Sequence, residues 1–215
     1  MSAQMTTVRV IVPLAANEDT WRTLLPLLPE SLETWLAAAT PPPNDWQELP
    51  NRRWLHCPQS GRGAQMNAAA AVCGGNFLWF VHADTQLSTT TISALQHSLT
   101  TQPAALHYFS LRFYDGGWRM RINEWGVLLR CRLFKNPFGD QALCVPRSLF
   151  ERLGGFPTEA VGEDHLFVLR SGRAGTHIAR VNATVGTSAR TYMRHGWWYT
   201  VISYQRIWWK QWQQK

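Results

Sequence analysis

The stretch that most constrains the fold is Asn76-Phe77-Leu78-Trp79-Phe80-Val81, which stops abruptly at His82-Ala83-Asp84-Thr85. Its apolarity is continuous rather than alternating. A strand of this kind is buried on both faces, as in a parallel sheet covered by helices on each side. In such sheets ligands bind beyond the carboxyl ends of the strands. His82 and Asp84 therefore stand where chemistry is expected, and in an extended segment two residues apart they point to the same side.

The flanking segments support an alternation of strands and helices. Residues 8–12 are β-branched and apolar and read as a first strand ending at Pro13. Trp21, Leu24, Leu25 and Leu28 follow at helical spacing, with Pro26 and Pro29 limiting the helix. Residues 34–40 and 53–56 read as further strands around a proline-rich loop at 41–46. Then "SGRGAQMNAAAAV" (60–72) gives a glycine-punctuated turn and an alanine-rich helix. In the second half, 104–113, 139–147 and 177–186 read as strands and Glu163 to Arg173 as a helix. Trp118, Ile122, Trp125 and Leu129 mark one face of another helix. Ser148 and Glu151 have capping-box spacing and predict a short helix closed by Gly154-Gly155. A last helix is expected from about Arg190 to Gln213. The fold class expected is α/β: a Rossmann-like, mixed but mainly parallel sheet flanked by helices, with a C-terminal Trp-rich helix.

Composition narrows the function. The net charge of +7 suits an anionic partner. The basic residues are dispersed and no nucleic-acid motif is present, which argues against nucleic acid. Cys57, Cys73, Cys131 and Cys144 show no metal-binding spacing and read as buried reduced thiols. The opening residues lack the pattern of a signal peptide. No apolar run approaches a bilayer span. A cytoplasmic protein is expected, attached at most peripherally to the inner face of the membrane.

Three groups lie where a ligand is expected: Pro13 to Glu18, Arg62 to Asn67, and His82 with Asp84. Asp84 is placed to hold a divalent cation against a diphosphate. Read singly, each group has an ordinary structural alternative, since an Asp after a strand commonly caps a turn. Read in order, "GRGAQMNAAAAVCGGNFLWFVHADTQL", "FGDQALCVPRSLFERLGGFP" and "GEDHLFVLRSGRAG" resemble family-2 inverting glycosyltransferases of the GT-A fold. They look closest to a short bacterial subgroup with H-A-D-T in place of D-x-D. The resemblance covers residues 8 to about 190.

That resemblance implies a nucleoside-diphosphate sugar as donor, an unknown acceptor, and Mg²⁺ or Mn²⁺ as cofactor. Asp84 matches the metal-binding Asp, and His82 takes the place of the first Asp. Pro13, Glu18, Arg62 and Asn67 match nucleotide-sugar-binding positions. Asp164 matches the general base of the E-D motif, while Glu163, Asp140 and Gln141 match the acceptor side. The sequence departs from the family in two places. An extra residue separates Pro13 from Asn17-Glu18, and the Asp-rich turn after the second strand is replaced by "AAATPPPNDWQELP" (37–50), with Asp45 and Glu48 its acidic residues. These departures leave a catalytically inactive nucleotide- or partner-binding relative, or a peripheral membrane-binding module, as the alternative to transfer.

The expected organisation is a GT-A-like domain at 1–189 and an aromatic helical extension at 190–215. On that extension Trp198, Ile202 and Trp209 share a helical face. Such a face suits a membrane surface, packing on the domain, or a homodimer contact.

Overall fold

The computed structural model describes residues 6–59, 61–158 and 162–213. The first half runs β1 (Val8–Leu14), α1 (Trp21–Leu24), β2 (Glu33–Ala38), β3 (Arg52–His56), α2 (Arg62–Val72), β4 (Phe77–Phe80) and α3 (Thr89–Thr101). The second runs β5 (Leu106–Phe113), α4 (Trp118–Phe134), β6 (Cys144–Pro146), α5 (Arg147–Arg152), α6 (Glu163–Arg173), β7 (Ile178–Thr187), α7 (Arg190–His195) and α8 (Trp197–Gln213).

One seven-stranded sheet has the order β3-β2-β1-β4-β6-β5-β7. β1 pairs in parallel with β2 on one side and β4 on the other, and β5 pairs in parallel with β7. β6 runs antiparallel to both neighbours. The mixed, mainly parallel sheet expected from the sequence is what forms. Because the chain leaves β1 toward β2 and β3 and returns to β4 on the opposite flank, the order reverses between β1 and β4. That reversal opens a crevice at their carboxyl ends.

The two-faced burial of the central strands follows from side-chain alternation. Val8, Val10 and Val12 of β1 and Phe77 and Trp79 of β4 join the core with Leu24, Leu95 and Leu99. Ile11, Leu78 and Phe80 face the other core, with Met66, Ala69, Phe150 and Phe167. Trp79 is fully buried and its Nε1–H donates to the Ala142 carbonyl at 3.1 Å, so the one polar atom of that side chain is satisfied.

Several local expectations need correction. α5 begins at Arg147 with Pro146 at the N-cap, so Ser148 lies inside the helix and caps nothing. Glu151 instead faces the Arg147 guanidinium at 3.4 Å, one helical turn away. The capping box occurs at Ser88 and Thr91 and opens α3, a helix not among those expected above. Residues 139–147 divide into a 3₁₀ turn at Gly139–Gln141 and the short β6. The C-terminal segment is two helices rather than one, broken at Gly196, whose φ of 85° lies in the left-handed region glycine favours. The stripe Trp118, Ile122, Trp125 and Leu129 does lie on one helix, but it is exposed, while Met120 and Cys131 are the buried residues of α4. All four cysteines are buried free thiols.

Candidate active site at the carboxyl ends of β1 and β4

The segment leaving β4 carries His82 and Asp84 into the crevice, and each meets an arginine from a distant part of the chain. Arg62, at the start of α2, donates from Nε to Glu163 Oε1 at 2.5 Å and from Nη1 to His82 Nε2 at 3.3 Å. Its Nη2 lies 3.7 Å from Asp164 Oδ2. A guanidinium cannot accept, so His82 Nε2 is the acceptor and its ring proton resides on Nδ1. Burial, reinforced by the Arg62 charge, holds His82 well below the usual histidine range, at about 3. His82 is therefore neutral.

Asp164 is buried at the first turn of α6. Its Oδ2 accepts the Gly139 N–H at 2.5 Å and its Oδ1 accepts the His165 N–H at 2.8 Å. Burial pushes its pKa upward, but Arg62 and the two backbone donors outweigh burial, and the carboxyl sits below its ordinary value. Asp140 is the contrast. Its Oδ1 is cut off from solvent and has no hydrogen-bond partner among the described residues. Burial, opposed by Arg130 and aided by Asp164, raises its carboxyl to about 6.

The second cluster centres on Arg190, the first residue of α7. Its Nη2 donates to Glu18 Oε2 at 2.7 Å and lies 3.5 Å from Asp84 Oδ2. Glu18 Oε1 also accepts from the Thr20 hydroxyl at 2.6 Å. Burial raises the Asp84 carboxyl despite the nearby Arg190. Asp115 delivers Arg190 by pinning the preceding turn, accepting from the Ser188 hydroxyl at 2.8 Å and the Ala189 N–H at 2.5 Å. Nothing local in the sequence marks Arg190 as a site residue, because its partners are brought to it only by the fold.

The other expected site residues have different surroundings. The Asn67 carboxamide is bonded in both directions to the Phe156 backbone, at 2.7 and 2.9 Å, and latches α2 to that loop. Gln141 is buried, donating to the Phe109 carbonyl at 2.9 Å and accepting from the Phe138 N–H at 3.2 Å. Both hold backbone in place. Pro13 lies in β1 past its last rung with β4, at Ile11↔Phe80, so its missing N–H removes no bond on that side. Asp45 pairs with Arg22 at 2.7 Å on the surface, and the neighbouring Trp46 packs edge-on against Trp21 and Trp54. The loop after β2 is thus closed by tryptophans.

Gly139 is required by close approach. A Cβ there would lie 2.5 Å from Asp164 Oδ2 and 3.1 Å from His82 Nε2. Gly139→Ala should therefore displace the Asp164 carboxylate and lower stability by about 1–3 kcal/mol, read by urea denaturation.

Among the described residues no group of three or more His, Cys, Asp or Glu is spaced to hold a metal alone. A protein cage is not needed for Mg²⁺ or Mn²⁺ beside a diphosphate, since one or two carboxylates with phosphate oxygens suffice. The donor set fits on that basis. Asp84 offers a largely buried carboxylate, and Glu18, Asp84, Asp140, Glu163 and Asp164 together outweigh the charges of Arg62, Arg130 and Arg190.

A mainly parallel sheet with one reversed strand and helices on both faces is a GT-A-like, Rossmann-type fold. No family model and no curated protein matches the chain. Solved structures do. The Staphylococcus aureus TarS fragment 1–349 superposes with a TM-score of 0.67 at 17% identity, over 85% of this chain and 60% of TarS 1–349. The same fragment in complex with UDP-GlcNAc gives 0.61 at 16% identity, over 85% and 58%. The mannosyltransferase PcManGT from Pyrobaculum calidifontis, in complex with GDP-Man and Mn²⁺, gives 0.65 at 18% identity, over 86% and 58%. The chain thus spans about 60% of the length of these structures, and at these identities the likeness is one of fold.

Proposed function

We propose that the protein is a glycosyltransferase that takes its donor, a nucleoside-diphosphate sugar, in the crevice between β1 and β4. The observation that carries this reading is the meeting of Asp84, His82 and Asp164 with Arg62 and Arg190 at the switch point of a GT-A fold. Neighbours of the same fold bind UDP-GlcNAc and GDP-Man, which supports this class of donor.

Transfer is a single displacement with inversion. The acceptor oxygen attacks the anomeric carbon as the bond to the diphosphate oxygen breaks, and the bond pair leaves with the diphosphate. The acceptor proton passes to a carboxylate. Arg62 and Arg190 orient the donor phosphates, for which a planar guanidinium is suited. Asp84 would hold the divalent cation, which would supply charge stabilisation to the departing diphosphate. Neutral His82 accepts from Arg62 and keeps that guanidinium turned into the crevice.

Asp164 takes the role of base, being ionised and positioned by Gly139 and His165. A second assignment rests on a specific observation: the Oδ1 of Asp140 is unbonded and its carboxyl is raised to about 6. A base near the working pH is the more effective one. The pH profile of donor turnover, followed as nucleoside-diphosphate release, separates the two. If Asp140 is the base, activity falls as pH drops through about 6, and Asp140→Asn abolishes turnover. If Asp164 is the base, its lowered pKa leaves the wild-type profile flat across that range. No turnover of any sugar nucleotide by wild type, with Mn²⁺ present, would count against transfer altogether.

A further inference from the structure

We infer that the outer face of α8 is a docking surface for an anionic membrane. Trp198, Ile202 and Trp209 recur at helical spacing and are all exposed, Trp198 at 67% and Trp209 at 57%. Arg206 and Lys210 are exposed along one flank of this stripe, while Thr200 and Gln211 are buried on the opposite side of the helix. Gln211 Oε1 accepts from His165 Nδ1–H, so the inner face is fixed to α6 beside Asp164. The helix is thus seated on the protein by Gln211 on α6 and by Trp208 and Tyr204 against Phe134 and Tyr192, while Trp198, Ile202 and Trp209 are turned out.

Charge selects the occupant. The chain carries no Asp or Glu after Asp164. Among the described residues Arg194, Arg206 and Lys210 have no acidic partner within ion-pair distance. A two-fold dimer through this face would bring like charges together across its own axis. An anionic lipid surface has the opposite sign, and tryptophan is favoured at the headgroup level, where its ring is half in the apolar layer. Among the described residues no helix is long and apolar enough to cross a membrane, so the contact is peripheral. The exposed stripe Trp118, Ile122, Trp125 and Leu129 of α4 has the same character, with Arg121 and Arg132 exposed beside it. Phe134 at the end of α4 packs on Trp208 of α8, ring centroids 5.6 Å apart. The surface assignment stands whether or not the crevice transfers a sugar.

The test is flotation of the full chain with vesicles of phosphatidylcholine alone and of phosphatidylcholine mixed with phosphatidylglycerol. Binding is expected to the mixed vesicles, weak to the neutral ones, and reduced by added salt. Arg206→Glu with Lys210→Glu should lower the affinity at least about thirtyfold, from two lost surface charges. Trp198→Ser with Trp209→Ser should also release the protein. The salt and lipid-charge dependence of wild type stands apart from the folding of any variant. The inference is overturned if wild type ignores phosphatidylglycerol or if neither pair of substitutions weakens binding. It is equally overturned if wild type sediments as a dimer that Trp198→Ser with Trp209→Ser dissociates and no vesicle binding is seen.

Discussion

Arg62→Ala should destabilise the protein by about 2–3 kcal/mol at neutral pH and weaken nucleotide binding. Glu163 and Asp164 are both buried, and Arg62 is the cation that meets both. Breaking a fully buried pair costs about 3–5 kcal/mol because a charge is left without compensation. The Arg62 side chain is 40% exposed, so water screens part of that loss and the smaller figure applies. The pH dependence follows from sign. Arg62 and the backbone donors hold the folded Asp164 carboxyl below its ordinary value, so its contribution is present above the unfolded pKa and is lost as pH falls through the folded one. The gap between wild type and Arg62→Ala should accordingly be widest near neutrality and close in acid, measured by urea denaturation across pH. A gap that does not change with pH would show that Arg62 stabilises by packing. Arg62→Lys should be intermediate, since an ammonium keeps the charge but cannot reach Glu163 and His82 as a fork.

Asp164→Asn should lower turnover by about 10²–10⁴-fold if Asp164 is the base. It should also cost stability, because both Asp164 oxygens accept backbone N–H groups. An amide presents its own N–H₂ to one of them in either orientation, which leaves a buried donor opposed to a donor, a loss of about 1–3 kcal/mol. Turnover alone therefore cannot distinguish base from scaffold. Donor affinity measured on the same variant can. A base assignment predicts near-normal donor binding with lost turnover, and a scaffold assignment predicts that the two fall together.

The elements readable from sequence are those whose signal is local. The unbroken run ending at His82 produced β4, the alanine-rich segment after Gly61 produced α2, and Glu163-Asp164 opened α6. α3 escaped because its first turn is threonine and serine rather than strong helix formers. Its usable signal was Ser88 with Thr91, followed by Ile92, Leu95 and Leu99 at helical spacing. The Ser148–Glu151 spacing misled for the converse reason. Pro146 is suited to precede the first helical turn, and α5 starts directly after it. The outward face of α4 was beyond pattern reading, since an apolar stripe is written alike whether it meets a core or a surface.

In the site, Asp84, His82, Arg62 and Asp164 could be named because they lie in the three quoted blocks. Arg190 could not, since its contact with Glu18 spans 172 positions. Asn67 and Gln141 are polar residues near a crevice, but their hydrogen-bonding groups hold backbone at Phe156 and Phe109. Only the geometry separates a latch from a ligand.

The most direct measurement is calorimetric titration of a panel of nucleoside diphosphates into wild type and Asp84→Ala, with and without Mn²⁺. The predicted result is binding of one nucleoside diphosphate that depends on Mn²⁺ in wild type and is lost in Asp84→Ala. Absence of binding to every nucleotide in both conditions, or metal-dependent binding unchanged in Asp84→Ala, would contradict a donor site at the carboxyl end of β4.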